Sequence, residues 1–184
     1  MKHIIGLAMA GFLFAACQSD TYYIKGEASH LNDSTVLYLT ADLQNDSWPM
    51  DSMFVCNGRF TYSGTTDSIR LCRLYEAGNV EHALLFFNEP GHIYIELSPQ
   101  PGLSRVSGTK INNEWQALND TVAHYDQRLR QLIASQKDSL SPRYVHSEAD
   151  NIYNTLKKRI SEAALRNRDN ALGHFISTSS ELVK

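Results

Sequence analysis

The sequence predicts a mainly β fold with α-helices: an antiparallel β-sandwich or open barrel of about eight strands, followed by an antiparallel α-helical hairpin. Short runs rich in β-branched and aromatic residues, separated by turn residues, continue to residue 108. Beyond this point apolar residues recur at spacings of three and four, which is the period of a helix. We therefore divide the chain into a signal peptide (1–16), a tether (17–21), a β domain (22–108) and a helical hairpin with a C-terminal tail (109–184).

The chain begins with the three parts of an export signal. Lys2 supplies the positive charge, residues 4–14 are apolar, and Ala15-Ala16 are the small residues that precede a cleavage site. The apolar run is shorter than the ~20 residues that a helix needs to cross a membrane. We therefore expect residues 1–16 to be absent from the mature protein.

Cys17 follows the two alanines directly, and this arrangement resembles the lipobox of bacterial lipoproteins, although Phe14 stands where Leu is usual. In such proteins the thiol receives a diacylglycerol, and acyl chains stabilise membrane attachment by about 0.8 kcal/mol per buried methylene group. The alternative is ordinary cleavage, with Cys17 as an incidental thiol. Gln18 after the cysteine is typical of Gram-negative lipoproteins that are delivered to the outer membrane. We expect the mature protein on the periplasmic or surface side of that membrane.

The eight predicted strands lie between explicit turn signals. In chain order they are residues 22–28, 34–41, 53–56, 59–64, 69–75, 82–88, 92–97 and 104–108. Asn57-Gly58 is the strongest hairpin signal, since both residues tolerate the positive φ of a type I′ turn. Residues 76–79 and 88–91 supply further turns. Because these connections are short, we expect a meander that has no parallel crossovers.

Two segments beyond residue 108 predict amphipathic helices that pack against each other. Residues 111–132 carry an apolar seam on which Trp115 is the largest side chain, and residues 145–163 carry a matching stripe. Pro142 lies in the polar stretch between them and indicates a turn. A short loop favours antiparallel pairing within the chain, and the tail from residue 171 adds at most a short helix.

These patterns resemble a domain of unknown function that forms the β-rich N-terminal module of many Bacteroidota lipoproteins. The likeness extends over Thr21–Asp169, and its distinctive part is the run D-S-x-x-x-x-N-G-x-F-x-Y-x-G from Asp51 to Gly64. The resemblance implies a β-rich module and a helical connector, followed in relatives by a thioredoxin-like domain of the peroxiredoxin or disulfide-oxidoreductase type. This sequence ends at Lys184, where that domain is expected to begin, and no residue matches its catalytic motif. We therefore expect the redox activity of the relatives to be absent.

Cys56 and Cys72 are the cysteines that remain once Cys17 carries lipid. An oxidising compartment permits a disulfide between them. The alternative is that both are small, buried hydrophobic residues. They are not spaced as C-x-x-C, so a thioredoxin-type mechanism has no support in the sequence.

Composition and motifs argue against a nucleic-acid-binding protein or an enzyme. A net charge of −3 and a pI near 6.1, without a basic cluster, exclude the usual electrostatic footprint for nucleic acid. No zinc-protease, nucleophile-elbow or phosphate-loop motif occurs, so we expect no catalytic residue, no metal and no cofactor. Five aromatic residues on the predicted strands are interpreted as core filling rather than as a ligand platform: Tyr38, Phe60, Tyr62, Phe86 and Tyr94.

A triplet recurs in which Asp is followed by Ser or Thr and then by an apolar residue or Thr. It resembles the acceptor site of the general O-glycosylation of exported proteins in the same bacterial group. The candidate acceptors are Ser34, Ser52, Ser68, Thr121 and Ser139. The alternative is turn and cap chemistry, because Asp and Ser side chains form hydrogen bonds with nearby backbone.

The sequence thus leads us to expect a non-catalytic lipoprotein, anchored in the outer membrane by its N-terminal lipid, that acts as a binding or scaffold module. Its contact surface would be the loops of the β domain or the helical hairpin, the latter binding a protein partner. The alternative is a remnant of a thiol-disulfide oxidoreductase lipoprotein that lacks its thioredoxin-like domain. An in-frame segment with C-x-x-C, encoded just beyond codon 184, would favour the remnant.

Overall fold

Strands precede helices throughout the computed structural model, which describes residues 20–41, 50–136 and 141–179. The strands are β1 (Thr21–Glu27), β2 (Val36–Thr40), β3 (Asp51–Phe54), β4 (Arg59–Thr65), β5 (Leu71–Glu76), β6 (Asn79–Phe87), β7 (Gly91–Glu96) and β8 (Arg105–Ser107). The helices are α1 (Lys110–Gln136), α2 (Pro142–Arg166) and α3 (Ala171–Thr178). This order confirms the predicted class, a β-sandwich followed by a helical hairpin, and the described strands form no closed barrel.

The strands form two four-stranded sheets with a common core. The first sheet has the order β4-β1-β7-β8, and the second has the order β3-β2-β5-β6. Alternation decides which side chains enter the core: on β1, Tyr22 and Ile24 are buried, whereas Tyr23 and Lys25 are exposed. The largest fully buried side chains in this core are Tyr22, Phe86, Phe87, Ile24, Leu37, Leu39, Leu74 and Ile93.

The prediction of a meander without parallel pairing is wrong for one pair of strands. β1 pairs with β7 in parallel, with Ile24 opposite Ile93. The chain moves from the first sheet to the second after β1, returns for β4, crosses again for β5 and β6, and comes back as β7 beside β1. The connection between the parallel strands is therefore made of other strands rather than of a crossover helix. Short turns show where the chain reverses but not which sheet the next strand joins.

The turn at Asn57-Gly58 has the conformation that its sequence predicts, with φ values of 51° and 67°. On either side of it, Cys56 and Arg59 exchange backbone hydrogen bonds of 2.8 and 3.1 Å. β3 and β4 then diverge into different sheets. The turn therefore links the two layers of the sandwich instead of closing a hairpin within one sheet.

Helix α1 covers the side of the sandwich where β6 and β8 are the edge strands. Asn112 accepts a hydrogen bond from the Phe87 N–H and donates one to the Phe87 carbonyl, both at 2.8 Å. The Trp115 indole N–H donates to a second carbonyl of β6 at 2.8 Å. On β8, the Gln116 side chain accepts from the Val106 N–H at 2.8 Å. Side chains of the helix thus satisfy backbone groups that an edge strand leaves unpaired.

Helices α1 and α2 form the predicted antiparallel pair within the chain. Near the sandwich their apolar faces join the main core, whereas further along Leu132, Val145 and Ile152 form a second, smaller core. Ser141 caps α2, because its hydroxyl accepts from the Tyr144 N–H, and Pro142 stands at the first helical position. No helix in the described residues is both long enough and apolar enough to cross a membrane.

Candidate functional site

The outer side of the first sheet is uncovered, and we call it the open face. Its outward side chains on β1, β4, β7 and β8 are exposed, while the alternate residues of the same strands fill the core. A concavity of about 590 Å³ crosses this face from β4 to β8 and reaches Gln116 on α1. An exposed concave surface of this kind, on rigid strands, is a place where a binding site is expected.

Two rows of side chains line the concavity, and each row crosses all four strands. The strand register aligns the first row as Thr61, Lys25, Tyr94 and Ser107. The second row, one step along the strands, contains Arg59, Glu27, Glu96 and Arg105. The first row therefore supplies an aromatic ring, an ammonium group and hydroxyl groups. The second supplies two guanidinium groups at its ends and two carboxylates in its centre.

The second row places like charges together, which strands ordinarily avoid. Glu27 lies directly opposite Glu96, and such a pair is destabilising unless cations offset it. Arg59 approaches Glu27 at 4.0 Å, and Arg105 stands opposite Glu96 on β8. The two carboxylates in the centre of the row are therefore flanked by a guanidinium group on each side.

Arg105 is fixed in place by α1. It forms a two-point ion pair with Asp120, with nitrogen–oxygen distances of 2.8 and 3.1 Å, and Gln116 donates to the same carboxylate at 2.9 Å. The hydrogen bond from Arg105 lowers the pKa of Asp120, and the carboxylate in turn raises the pKa of Arg105. One end of the charged row is therefore held in a defined orientation, although the pair is about half exposed.

The interpretation of Tyr94 as core filling is wrong. Its side chain is 50% exposed on the open face, because Ile93 and Ile95 take the inward positions of β7. Beside it, Tyr23 is 44% exposed and stacks on His92 with ring centroids 5.3 Å apart. The sequence contained the signal, since H-I-Y-I-E alternates with the isoleucines on one side and the polar residues on the other. Phe60 and Phe86 are buried as expected, while Tyr38 and Tyr62 are half-buried.

Cys56 and Cys72 are free thiols in the structure. Cys56 is exposed beside the Asn57-Gly58 turn, whereas Cys72 is buried on β5 opposite Phe86, near the other end of the sandwich. Disulfide geometry requires Cα atoms within roughly 7 Å of each other, and this arrangement does not provide it. Burial raises the pKa of the Cys72 thiol to about 12, so that it stays protonated at neutral pH and is a poor nucleophile.

The predicted modification sites fall into three groups. Ser34, Ser52 and Ser68 are exposed. Thr121 is half-buried on α1, and its hydroxyl donates to the carbonyl one turn earlier at 2.8 Å. Ser139 and the predicted lipidation site Cys17, together with the predicted signal peptide, lie outside the described residues.

A second polar cluster joins the two sheets, and its side chains form hydrogen bonds with one another. The Tyr22 and Tyr62 hydroxyl groups are hydrogen-bonded to each other, and Tyr62 is also hydrogen-bonded to Asp51 of the second sheet. Burial raises the pKa of both tyrosines.

Throughout the described residues, every buried side-chain nitrogen or oxygen has a hydrogen-bond partner, and no group of three or more His, Cys, Asp or Glu is placed to hold a metal ion.

Comparison with known proteins identifies one family. Residues 22–115 match the family described as a domain of unknown function, DUF4369. The match covers all eight strands and ends at Trp115, in the first turns of α1, so the resemblance expected from there to Asp169 stays a prediction. No curated protein matches the chain.

Proposed function

Because the chain belongs to the DUF4369 family, whose function is unknown, we propose a role from its own geometry: an outer-membrane lipoprotein, anchored through Cys17, whose sandwich is a non-catalytic binding module. The anchor is supported by the sequence, where an export signal ends in two small residues followed by a cysteine. Gln18 after the cysteine supports the outer membrane as its destination. The binding role is supported by the open face.

The observation that carries the binding proposal is the concavity on the open face. Its lining combines an exposed Tyr94 ring with Lys25 and with two guanidinium groups, of which that of Arg105 is held by Asp120 of α1. Tyrosine and arginine are the residues most often found at the energetic centre of binding surfaces. Nothing in the sandwich core requires exposed aromatic rings here, because the isoleucines of β7 already fill the inner side. We infer that the open face binds a polar partner in the cell envelope.

The helical hairpin is the second candidate surface. Its exposed large side chains are Ile133, Tyr144, Tyr153 and Leu165. They support binding of a protein partner, as expected from the sequence. They are distributed over both helices, whereas the polar and aromatic groups of the open face converge on one concavity. We therefore place the open face first and the hairpin second.

The non-catalytic proposal also makes a prediction about thiol chemistry. A thiol-disulfide oxidoreductase needs two cysteines that can reach each other and one with a low pKa. Cys56 and Cys72 lie at opposite ends of the sandwich, and burial raises the pKa of Cys72. We therefore expect the purified protein to reduce insulin no faster than free thiol does. Catalytic reduction that is lost when either cysteine is replaced would overturn the non-catalytic proposal.

The anchor is tested by replacing the lipidated residue. Cys17→Ser should leave an uncleaved precursor and release the protein from the membrane fraction, because the thiol that receives the diacylglycerol is missing. Cys56→Ser is the matched control, since it removes an exposed thiol and should leave membrane attachment unchanged. Membrane retention of Cys17→Ser with a normal mature mass would contradict the lipoprotein assignment.

The binding surface is tested by photo-crosslinking in intact cells. A photoreactive phenylalanine analogue replaces either Tyr94 on the open face or Tyr153 on the hairpin; these residues are 50% and 56% exposed. We expect a discrete adduct from position 94, and we expect Lys25→Ala to weaken it. An adduct from position 153 alone would assign the function to the hairpin, and no adduct at either position would overturn the binding proposal.

O-glycosylation is the remaining part of the proposal. Ser34, Ser52 and Ser68 are accessible to a transferase, whereas the Thr121 hydroxyl is engaged within its helix. We expect the intact mass of protein from the native host to exceed the lipidated polypeptide, and combined replacement of the three serines by alanine to reduce that excess. Thr121→Ala is the control and should leave the mass of the glycan unchanged. A native mass equal to that of the lipidated polypeptide would contradict the assignment.

A further inference from the structure

The first strand begins only a few residues after the proposed lipidation site. The Asp20 carbonyl accepts a hydrogen bond from the Thr66 N–H at 2.8 Å, and Thr21 pairs with Thr65 on β4. From position 17 to position 20 there are three residue steps, and a fully extended chain covers at most about 11 Å in that number of steps. The end of the sandwich that carries Asp20 is therefore confined to the neighbourhood of any lipid on Cys17.

Several loops meet at this end, and we call the surface formed by residues 66–70, 88–90 and 108–111 the base. Asn88 ties the first two loops together, because its side chain donates to the Thr66 hydroxyl at 2.8 Å and accepts from the Arg70 N–H at 2.6 Å. Glu89 accepts from the Ile111 N–H at 2.7 Å and so fixes the first turn of α1 to the same surface. The base is a rigid part of the sandwich.

The base carries polar side chains whose charges are largely offset. Asp67 forms an ion pair with Arg70 at 2.7 Å, and the carboxylate of Glu89 is used by α1. Lys110 is exposed beside them. A polar, nearly neutral surface of this kind is compatible with contact with the zwitterionic and anionic headgroups of phospholipids.

Helix α1 leads away from the base. It begins there at Lys110, passes the start of β8 where Asp120 pairs with Arg105, and continues to Gln136. The sixteen residue steps from Asp120 to Gln136 correspond to about 24 Å of helix. This outer part of α1 packs with α2 in the second, smaller core. The hairpin therefore projects beyond the end of the sandwich that is opposite to the base.

We propose that the base is the surface that faces the phospholipid headgroups, and that the outer half of the hairpin points away from the membrane. This orientation rests on the proposed function, because it requires a lipid on Cys17. It places the Asn57-Gly58 turn at the far end of the sandwich, about 20 Å from the base by the length of β1. The strands of the open face then run roughly perpendicular to the membrane. The face is therefore accessible to a partner that is not itself a lipid.

The orientation is tested by fluorescence quenching on the lipidated protein in vesicles of phosphatidylethanolamine and phosphatidylglycerol. One probe is attached to the native Cys56 at the far end of the sandwich. In a Cys56→Ser background, the same probe is attached through Lys110→Cys in the base or through Gln131→Cys on the outer hairpin; all three positions are exposed. Cys56→Ser alone is the labelling control, because Cys72 is buried.

With a spin label on the lipid headgroups, we expect at least a threefold stronger quenching at position 110 than at positions 56 and 131. Equal quenching at all three positions, or stronger quenching at 131 than at 110, in protein that sediments with the vesicles would overturn the orientation and leave the anchor intact. Protein that carries no lipid mass and stays in the supernatant would overturn the anchor, and the orientation with it. The two failures are thus distinguishable in the same samples.

Discussion

The outward side chains of β6, at the edge of the second sheet, and of β7, in the first sheet, follow the same two-residue alternation but end in different environments. On β6 of the second sheet, the outward Phe87 meets Trp115 of α1, which in turn meets Phe175 of α3, both with rings edge to face. On β7 of the first sheet, the outward Tyr94 and Glu96 remain exposed. Alternation therefore decides which side chains share a face, and the chemistry of that face decides whether the chain covers it.

The two faces are expected to have different roles. The outward side of β6, which the helices cover and which we call the covered face, contributes stability, because it buries aromatic rings and the helix satisfies backbone groups of β6. The open face buries little and should contribute little to stability, and binding is the role that we propose for it. Substitutions on the covered face should therefore lower the free energy of unfolding, and substitutions on the open face should change binding alone.

The largest effect is expected at Trp115. Truncation of a buried Trp costs about 3–5 kcal/mol, and Trp115→Ala also leaves the β6 carbonyl without its indole donor. We expect chemical denaturation to show a loss in this range, in a protein that is monomeric at low micromolar concentration. Trp115→Phe is the control, since it keeps an aromatic ring and should lose less. A wild-type dimer that dissociates in Trp115→Ala without loss of thermal stability would show that the seam is a partner interface instead.

A smaller loss is expected at Asn112, which is fully buried and holds both backbone groups of Phe87. Asn112→Ala leaves a buried donor and a buried acceptor unsatisfied, and each such group costs roughly 1–3 kcal/mol. We expect about 2 kcal/mol or more by urea denaturation. The neighbouring Asn113→Ala removes a single, exposed hydrogen bond to Gly108 and should cost clearly less. Equal losses for the two variants would contradict the account of α1 as the cover of the sheet edge.

The strands, the helices and the apolar seam could be predicted from the sequence. The row of charges on the open face could not, for a physical reason. Strand and helix positions follow from local periodicity, and Trp115 was identified from its place on the apolar seam. The row of Arg59, Glu27, Glu96 and Arg105 could not be predicted, because its members come from four strands and are aligned by the register of neighbouring strands in the first sheet. The exposure of Tyr94 was predictable from alternation on β7, once both isoleucines were assigned to the core.

The core between the two sheets should also respond to alkaline pH. Burial raises the pKa of Cys72 from 9.0 to about 12, so the folded protein keeps a proton that the unfolded chain releases above pH 9. The stabilisation is present below pH 9, and it should fall by about 1.4 kcal/mol per pH unit above that value. Urea denaturation at pH 8, 9 and 10 measures this slope. Cys72→Ala should flatten it between pH 9 and 10, and an unchanged slope would show that another group is responsible.

The smallest effect on stability is expected at the open face. Tyr94→Ala and Lys25→Ala remove exposed side chains, and such surface substitutions usually change stability by no more than about 0.5 kcal/mol. We expect melting temperatures close to that of the unmodified protein. A loss of stability as large as that of Asn112→Ala would show that the open face is a structural element. The proposed difference in role between the open face and the covered face would then be wrong.

The most direct test of the contrast compares two tyrosines in one sample by side-chain oxidation and mass spectrometry. In the purified protein, Tyr94 and Tyr153 are 50% and 56% exposed and should be oxidised to a similar extent. In native envelopes, a partner on the open face should protect Tyr94 several-fold while Tyr153 on the hairpin stays reactive. Equal oxidation of both residues in envelopes, or protection of Tyr153 alone, would contradict the assignment of binding to the open face.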